Sequence, residues 1–227
     1  MSIELYLLNI REKLESPVDE YLEYFSAERV KKILSYKFNP DRNRTLWAEL
    51  LARKLISERT GKNFKEIKIF RNSDGRPYCE KNNGSEIFFS LSHSGAWAAC
   101  SIGDSENGVD VENFDRKIDI NIAKRFFLPN EYEAIKNFSP SYDEQKKKFF
   151  QYWTLKESCL KCLNLKEWTG VDCEKLLSGD GEFQGKNFFL DDGAVVGICA
   201  RKNELPEKIS IKKSPTDLLK ISSEGDF

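Results

Sequence analysis

The sequence predicts an α+β fold, because segments with helical spacing alternate irregularly with segments typical of antiparallel strands, and no regular strand–helix–strand repeat is present. Hydrophobic residues make up 40% of the 227 residues and charged residues 32%, values that are typical of a folded chain with a sizeable core. The 36 basic and 37 acidic residues nearly cancel. The chain therefore lacks the overall positive charge that favours binding to nucleic acid.

The first half is expected to begin with a strand and to continue with two helices. Ile3–Ile10 is rich in apolar residues and predicts the strand. Hydrophobic spacing predicts one helix over Pro17–Lys37, a break at Asn39–Asp41 and a second helix that ends near Gly61. Three strands and two turns should follow: strands over Glu66–Phe70, Ile87–Leu91 and Trp97–Ile102, and turns at Asn72–Gly75 and Ser92–Gly95.

The second half repeats this mixture of helices and strands. Its expected elements are a strand over Gly108–Glu112, a helical segment over Ile120–Phe127, a helix opened by Pro129, a long helix over Tyr142–Leu165, and hairpin strands after Gly170 that include Ala194–Ala200. The boundary between the halves falls around Gly103–Gly108. We therefore divide the chain into an N-terminal half, residues 1–105, and a C-terminal half, residues 106–227.

The N-terminus and the cysteines favour a cytoplasmic protein without a membrane span. The first apolar run is short and lacks a basic leader, and no apolar stretch is long enough to cross a bilayer. The six cysteines form no compact disulfide framework, so we expect them to be reduced. Cys159 and Cys162 form a C-x-x-C pair, but no second pair follows at zinc-finger spacing. Ordinary buried thiols are favoured over a metal or redox site.

Asp110 and Glu112 are the first candidate functional residues. Both lie in the strand Gly108–Glu112, and residues two apart in a strand point to the same face. Two adjacent carboxylates repel each other unless a cation lies between them. Magnesium prefers such hard oxygen ligands and also takes phosphate oxygens. The alternative is a solvated acidic edge strand, which remains open because the pattern is short.

Three further groups of polar residues could contact a ligand. Glu157 and Lys161 lie four residues apart on the long helix and share a face, although a simple surface ion pair would look the same. His93 is the single histidine and lies in an expected polar turn, where its role is either structural or ligand-binding. Basic residues suited to phosphate are scattered upstream, or form an ordinary charged surface: Arg29, Lys32, Arg44 and Arg76.

Four ordered motifs resemble those of the 4′-phosphopantetheinyl transferases, in particular the longer, monomeric type that modifies peptide and polyketide synthetase carriers. The motifs are S-L-S-H-S-G, G-V-D-V-E, A-K-R-F-F-x-x-x-E-Y and W-T-L-K-E-S-x-x-K. The resemblance extends from about Ser26 into the final strands. It implies two similar halves related by a pseudo-twofold axis, with coenzyme A bound between them.

The resemblance also implies roles for individual positions. Asp110, Glu112 and Glu157 match magnesium-binding acids, and Lys161 matches a lysine near the reacting phosphate. Glu131 matches a recurring family glutamate whose role stays open. Contacts to coenzyme A are implied for eight residues: Arg29, Lys32, Arg44, Arg76, Ser92, His93, Lys156 and Lys161.

The implied reaction transfers the 4′-phosphopantetheine arm of coenzyme A to a serine of an apo acyl or peptidyl carrier protein and releases adenosine 3′,5′-bisphosphate. Lys161 and His93 are expected to stabilise phosphate charge, and Glu157 is the leading candidate for the base that takes the serine proton. Two alternatives remain: a magnesium-dependent phosphohydrolase or nuclease, and a non-catalytic module that binds coenzyme A or a carrier. The near-zero net charge argues against a nuclease.

Overall fold

The computed structural model describes residues 3–82, 84–168 and 170–212, together with Pro215 and Leu218. These residues form an α+β fold, as the sequence predicts. The strands are β1 (Glu4–Asn9), β2 (Ile69–Arg71), β3 (Pro77–Cys79), β4 (Phe88–Ser94), β5 (Trp97–Gly103), β6 (Asn107–Asn113), β7 (Phe183–Leu190), β8 (Ala194–Arg201) and β9 (Ile209–Lys212). The helices are α1 (Ala27–Leu34), α2 (Asn39–Thr60), α3 (Ala123–Phe126), α4 (Pro129–Lys136), α5 (Tyr142–Leu163) and α6 (Cys173–Ser178).

Two main sheets organise the chain. The first has the strand order β4-β5-β1-β9, and the second has the order β6-β8-β7. Neighbouring strands are antiparallel except β9, which pairs in parallel with β1. The first sheet therefore combines three strands from the first half of the chain with β9, which comes from the end of the second half. The short strands β2 and β3 form a separate antiparallel hairpin.

Each main sheet packs against one 22-residue helix. On the first sheet, α2 buries apolar residues that include Trp47, Leu50 and Leu51. On the second, α5 buries Phe149, Phe150 and Leu155 among its apolar residues. The two sheets also pack against each other through a third cluster, which contains Leu5, Leu7, Ala99, Val109, Val111, Val196 and Ile198. This packing brings the two halves of the chain together.

Two glycines allow α5 to approach the second sheet closely. A Cβ atom on Gly108 would lie 1.9 Å from the Ser158 carbonyl oxygen, and one on Gly197 would lie 2.5 Å from the Thr154 carbonyl oxygen. Any side chain at these positions would push the helix away from the sheet. The glycine of G-V-D-V-E therefore holds α5, with Glu157 and Lys161, directly over β6.

Several local expectations are wrong. The helix predicted over Pro17–Lys37 is divided into a 3₁₀ segment, Asp19–Tyr24, and α1, because Ser26 caps α1 by accepting a hydrogen bond from the Arg29 N–H (3.3 Å). The expected break at Asn39–Asp41 is instead the first turn of α2, where proline is tolerated.

Other boundaries also differ from the prediction. A 3₁₀ turn over Phe64–Glu66 occupies the start of the strand expected at Glu66–Phe70. Ile120–Phe127 splits into a 3₁₀ turn and the short helix α3. The short helix α6, which is capped by Asp172, was not predicted. Most importantly for the site, β4 extends to Ser94, so His93 lies in a strand and only Gly95 and Ala96 form the turn.

Within the described parts of the chain, no helix combines the length and the apolar character that crossing a membrane requires.

Candidate active site

The site lies where β4 of the first sheet meets β6 of the second, a junction that we call the β4–β6 seam. Three serine hydroxyls on β4 join the strands by accepting hydrogen bonds from β6 amides. Their contacts are Val109 N–H to Ser90 Oγ, Val111 N–H to Ser92 Oγ and Asn113 N–H to Ser94 Oγ, each 3.2 Å long. The constant offset of 19 residues shows that the two strands run parallel in register.

Asp110 is the central acid of this seam. Its Oδ1 atom accepts hydrogen bonds from Ser92 Oγ and Lys161 Nζ, each 2.8 Å long. Lys161 also donates to the Val109 carbonyl oxygen (3.0 Å), which ties α5 to β6. The Asp110 Oδ2 atom is buried and has no hydrogen-bond partner among the described residues. A buried carboxylate oxygen without a partner is costly, so this atom is suited to a cation.

Glu112 follows on the same face of β6, as strand alternation predicts. Ser94 Oγ donates to its Oε2 atom (2.8 Å), and Arg116 donates to its Oε1 atom (3.2 Å). Burial and then the charge of Asp110 raise the pKa of Glu112 above its usual range. Electrostatic repulsion between these two carboxylates would fall if a cation were bound between them.

Glu157 approaches the same acids from α5. Burial and then the charge of Asp110 raise its pKa, while Lys161 and a hydrogen bond from Trp168 act in the opposite direction. Glu157 and Lys161 share a helix face, as the spacing of four residues predicts. The close contact of α5 with Gly108 brings this face to Asp110.

The oxygen donors of Asp110, Glu112 and Glu157 fit magnesium. Within the described ranges, no group of three or more His, Cys, Asp and Glu side chains is arranged so that it could hold a metal ion by itself. Magnesium commonly binds through one or two carboxylates and completes its shell with water and substrate phosphates. The partnerless Asp110 oxygen and the mutual repulsion of the acids therefore fit an ion that binds together with a phosphorylated substrate.

A cleft of about 320 Å³ opens beside these acids, between α1, α2, β4 and α5. Four of the residues named from the sequence line it: Arg29, Ser92, His93 and Lys161. Six further residues complete the wall: Tyr36, Thr45, Ala48, Glu49, Arg71 and Leu91. Residues from both halves therefore share one cleft.

The end of the cleft that lies beside α1 and α2 is positively charged because it contains two arginines. Both contact the Oε1 atom of the buried Glu49, Arg29 through Nη2 at 2.5 Å and Arg71 through Nη2. One carboxylate cannot neutralise two guanidinium groups, so a positive charge remains beside the cleft. The Nε atom of Arg29 is buried and has no hydrogen-bond partner in the described parts of the chain. This end is suited to an anion.

His93 projects from β4 toward the cleft. Its Nε2 atom lies 3.4 Å from Thr45 Oγ1 on α2. Partial desolvation by the surrounding protein, followed by the charge of Lys161, lowers the pKa of His93. This environment favours the neutral imidazole in the free protein, and a bound anion would favour its protonation.

Three of the predicted basic residues do not line the cleft. Lys32 lies near its rim, with Nζ 5.4 Å from the ring centre of Tyr36. Arg44 donates to the Gly95 carbonyl oxygen (2.9 Å) and pairs with Asp41 (2.7 Å). Arg76 lines a different cavity. Arg71 is the last residue of β2, whereas Arg76 lies in the connection that precedes β3.

Lys156, which the resemblance implied would contact coenzyme A, lies buried outside the cleft lining. Its side chain is 1% exposed, and its Nζ atom pairs with Glu131 Oε2 (2.9 Å) and bonds to the Val171 carbonyl. The neighbouring Glu157 faces the acids, and successive helix residues lie about 100° apart. Lys156 therefore points away from the cleft and toward α4.

The structure also gives a role to Glu131, which the sequence left open. Its Oε2 atom accepts a hydrogen bond from the Leu128 N–H at the start of α4, and its Oε1 atom accepts one from Cys173 N–H, each 2.8 Å long. Glu131 thus links α4, α5 and α6. The Lys156–Glu131 pair supports the C-terminal half that carries Glu157.

Loss of this buried ion pair should lower the stability of the folded protein. We expect Lys156→Ala to lower the free energy of unfolding by about 3–5 kcal/mol, because it leaves the Glu131 carboxylate buried without its counter-ion. Urea denaturation would measure the loss. The double variant Lys156→Met, Glu131→Gln should recover part of it, since no uncompensated charge remains. An unchanged denaturation midpoint for Lys156→Ala would contradict the structural role.

The C-x-x-C pair packs in the core. Cys159 and Cys162 are buried in one apolar cluster with Cys199 of β8 and with Leu160, Val171 and Leu176. Hydrogen bonds with Cys159 and Cys162, and then burial, raise the pKa of Cys199. This environment agrees with the sequence-based preference for ordinary buried thiols.

Sequence reasoning missed Arg71, Glu49 and Thr45 as cleft residues. Glu49 offered one signal, because it is a single acid within the apolar stretch 46–51 of α2. A buried acid requires a counter-charge, so it indicates a nearby cation. Arg71 offered no comparable signal, since its place depends on how the β2–β3 hairpin folds over α2.

Both halves of the chain match known protein families. A family model described as "4'-phosphopantetheinyl transferase superfamily" matches residues 106–201, and one described as "4'-phosphopantetheinyl transferase, N-terminal" matches residues 15–103. The chain is 31% identical to the 4'-phosphopantetheinyl transferase HetI of Nostoc sp. over 166 residues, which cover 71% of this chain and 69% of HetI. The chain belongs to the 4'-phosphopantetheinyl transferase superfamily.

Longer matches connect this transferase with two proteins of Bacillus subtilis. It is 28% identical to the 4'-phosphopantetheinyl transferase ffp over 213 residues, or 87% of this chain and 91% of the relative. It is 26% identical to the 4'-phosphopantetheinyl transferase Sfp over 209 residues, or 85% and 89% of the two chains. These matches agree with the longer type of phosphopantetheinyl transferase that the motifs indicated. The protein is an enzyme of this type.

Proposed function

We propose that this transferase moves the 4′-phosphopantetheine arm of coenzyme A to a serine of an apo acyl or peptidyl carrier protein, at the acids of the β4–β6 seam. The observation that carries this proposal is the partnerless Asp110 Oδ2 atom beside a cleft with positively charged walls. The acids provide a place for magnesium, and the cleft provides a place for a polyanion.

Asp110, Glu112 and Glu157 would bind the metal through their carboxylate oxygens. A magnesium ion at these acids would neutralise charge on the pyrophosphate of coenzyme A and orient it for in-line displacement. Lys161 already contacts Asp110, and its ammonium group can donate to the pyrophosphate as charge develops. His93 donates to a phosphate oxygen after taking up a proton.

Glu157 is the proposed base. The carrier serine Oγ attacks the pantetheine-side phosphorus, and its proton passes to Glu157 directly or through a water. The bond from that phosphorus to the bridging oxygen breaks, and adenosine 3′,5′-bisphosphate leaves with the electron pair. Burial raises the pKa of Glu157, which makes the carboxylate a better proton acceptor than an exposed one.

Arg29 and Arg71 are proposed to bind phosphate at the other end of the cleft. Coenzyme A carries its pyrophosphate and its 3′-phosphate at separate positions, and the acids with Lys161 occupy the pyrophosphate end. The 3′-phosphate is therefore the anion expected beside the two arginines. Lys32 and Arg44 contribute positive charge from the surroundings of the cleft.

Removing Arg71 should weaken binding of coenzyme A. Loss of one charge-assisted phosphate contact costs about 1.5–3 kcal/mol, so we expect Arg71→Ala to raise the KM for coenzyme A about tenfold or more. Steady-state kinetics at fixed carrier concentration would measure this change. Dephospho-coenzyme A, which lacks the 3′-phosphate, should show little difference between the wild type and the variant.

Arg201→Ala is a matched control for Arg71→Ala. Arg201 is also a partly exposed arginine in ion pairs, with Glu106 and Glu182, but it lies on β8 outside the cleft. Its replacement should leave both KM values unchanged. Equal KM values for wild type and Arg71→Ala with coenzyme A would remove Arg71 from the phosphate site.

The two halves of the chain, residues 1–105 and 106–227, are proposed to be related by a pseudo-twofold axis. The strand order β4-β5-β1 in one sheet corresponds to β7-β8-β6 in the other, and a 22-residue helix packs on each sheet. The two family models also separate between residues 103 and 106. Because one copy supplies both walls of the cleft, we propose that the enzyme acts as a monomer.

One experiment tests the whole proposal. The protein is incubated with coenzyme A, magnesium and an apo carrier, and the mass of the carrier is then measured by mass spectrometry. A mass increase of one phosphopantetheine arm, dependent on magnesium, is the expected result. Hydrolysis of coenzyme A without carrier modification would indicate a phosphohydrolase, and binding without either product would indicate a non-catalytic module.

A further inference from the structure

We propose that Ser92 and Ser94 are positioning residues that orient the metal-binding carboxylates of Asp110 and Glu112. This inference rests on the proposed magnesium site. It assigns the S-x-S part of the S-H-S motif to the metal end of the reaction, whereas the resemblance implied that Ser92 contacts coenzyme A.

The evidence is the pairing of both serines with both acids. Ser92 Oγ donates to Asp110 Oδ1 and Ser94 Oγ donates to Glu112 Oε2, each at 2.8 Å. Each hydroxyl also accepts a hydrogen bond from the following β6 amide, Val111 N–H or Asn113 N–H. Each of these two serines thus contacts the carboxylate of one β6 residue and the backbone N–H of the next residue.

The chemistry of a hydroxyl explains why this arrangement orients the acids. A serine hydroxyl has one proton to donate, and here that proton is directed to a carboxylate. The amide contact determines the position of the oxygen, so the hydroxyl has little freedom to turn away. One oxygen of each acid is thereby held in place. On Asp110 the other oxygen, Oδ2, is left without a partner.

This assignment also limits what Ser92 can do for coenzyme A. A phosphate oxygen accepts hydrogen bonds and needs a donor. The single proton of Ser92 is already directed to Asp110, so its hydroxyl cannot also donate to a phosphate. The metal and substrate roles of Ser92 therefore make different predictions for the same variant.

Ser90 provides a matched control within the seam. It accepts a hydrogen bond from Val109 N–H in the same geometry, at 3.2 Å, and it is buried to a similar extent. None of its hydrogen bonds in the described residues involves a carboxylate. Ser90→Ala therefore removes a seam contact without touching the acids.

The test compares Ser90→Ala, Ser92→Ala, Ser94→Ala and Ser92→Thr in the full chain. Affinity for Mg²⁺ is measured by calorimetry with coenzyme A present, and affinity for coenzyme A is measured without metal. Thermal denaturation reports the loss of stability in each variant. Single-turnover transfer over a magnesium titration gives the concentration for half-maximal rate.

We expect the Mg²⁺ affinity to fall about tenfold or more in Ser92→Ala and in Ser94→Ala, as is typical when a partner of a metal ligand is lost. Ser90→Ala should bind Mg²⁺ like the wild type even where its melting temperature falls equally. Ser92→Thr keeps the hydroxyl and should restore affinity. Affinity for coenzyme A without metal should be unchanged in all four variants.

Two results would overturn the proposal. One is equal Mg²⁺ affinity in Ser90→Ala, Ser92→Ala and Ser94→Ala, which would make the serines contacts of the seam alone. The other is a loss of coenzyme A affinity in Ser92→Ala with normal Mg²⁺ affinity. If magnesium does not bind at these acids at all, Asp110→Asn will also bind Mg²⁺ normally. That result distinguishes failure of the proposed magnesium site from failure of the serine proposal.

Discussion

Replacing Asp110 by asparagine is expected to stop transfer almost completely. The carbonyl oxygen of the new amide can still accept from Ser92 and Lys161 in the place of Oδ1. The amide nitrogen then occupies the position of Oδ2 and directs two N–H donors to the place where the cation should bind. The variant should therefore lose the metal while it keeps its fold.

The expected size of this effect is large. A bound metal contributes several kcal/mol to stabilising charge in a phosphoryl-transfer transition state, and each 1.36 kcal/mol corresponds to a factor of ten in rate. We expect the transfer rate of Asp110→Asn to fall by about 10³-fold or more at limiting magnesium. Single-turnover modification of an apo carrier, followed by mass spectrometry, would measure it.

Two controls separate loss of the metal from loss of the fold. Glu182→Gln removes a carboxylate that pairs with Arg201 on the surface of the C-terminal half, and it should transfer at the wild-type rate. Circular dichroism should show the same secondary structure for Asp110→Asn as for the wild type. A normal rate for Asp110→Asn at limiting magnesium would remove Asp110 from the site.

The second large effect is expected for Glu157→Gln. The amide keeps the size of the side chain and one acceptor oxygen, but it cannot take a proton at neutral pH. If Glu157 is the base, the variant should bind coenzyme A with magnesium and still transfer roughly 10²–10⁴-fold more slowly. Single-turnover transfer over a magnesium titration distinguishes this role from that of a simple ligand.

Glu112→Gln is the matched variant for this comparison. Glu112 and Glu157 are both partly buried acids whose pKa values are raised by burial and by the charge of Asp110. Excess magnesium should restore much of the rate of Glu112→Gln, because Glu112 is proposed to act only as a ligand. Near-complete rescue of Glu157→Gln by magnesium would show that another group accepts the proton.

Much of the site could be predicted because its residues are related by local periodicity. Strand alternation predicted that Asp110 and Glu112 lie on one face of β6. The spacing of four residues predicted that Glu157 and Lys161 lie on one face of α5. The same arguments failed for His93, which was expected in a turn. The apolar run in β4 ends before the polar residues, although the strand itself continues to Ser94.

The β4–β6 seam shows why periodicity alone was insufficient. The serines at 90, 92 and 94 are polar, and their alternation with apolar residues and His93 could equally have indicated a solvent-exposed face. In the structure, these hydroxyls accept hydrogen bonds from the β6 amides, as backbone carbonyls do between paired strands of a sheet. Such a contact depends on two segments that are distant in sequence and become neighbours only when the two sheets pack.

The sequence by itself determined the α+β class, the family motifs, and which acids share a face of β6 or of α5. Only the tertiary structure decided which of these faces meet. Packing of α5 against Gly108 brought Glu157 and Lys161 to Asp110 and turned Lys156 toward Glu131. Folding of the β2–β3 hairpin brought Arg71, rather than Arg76, into the cleft. Periodicity determines the direction of a side chain relative to its own element, whereas its partners depend on long-range packing.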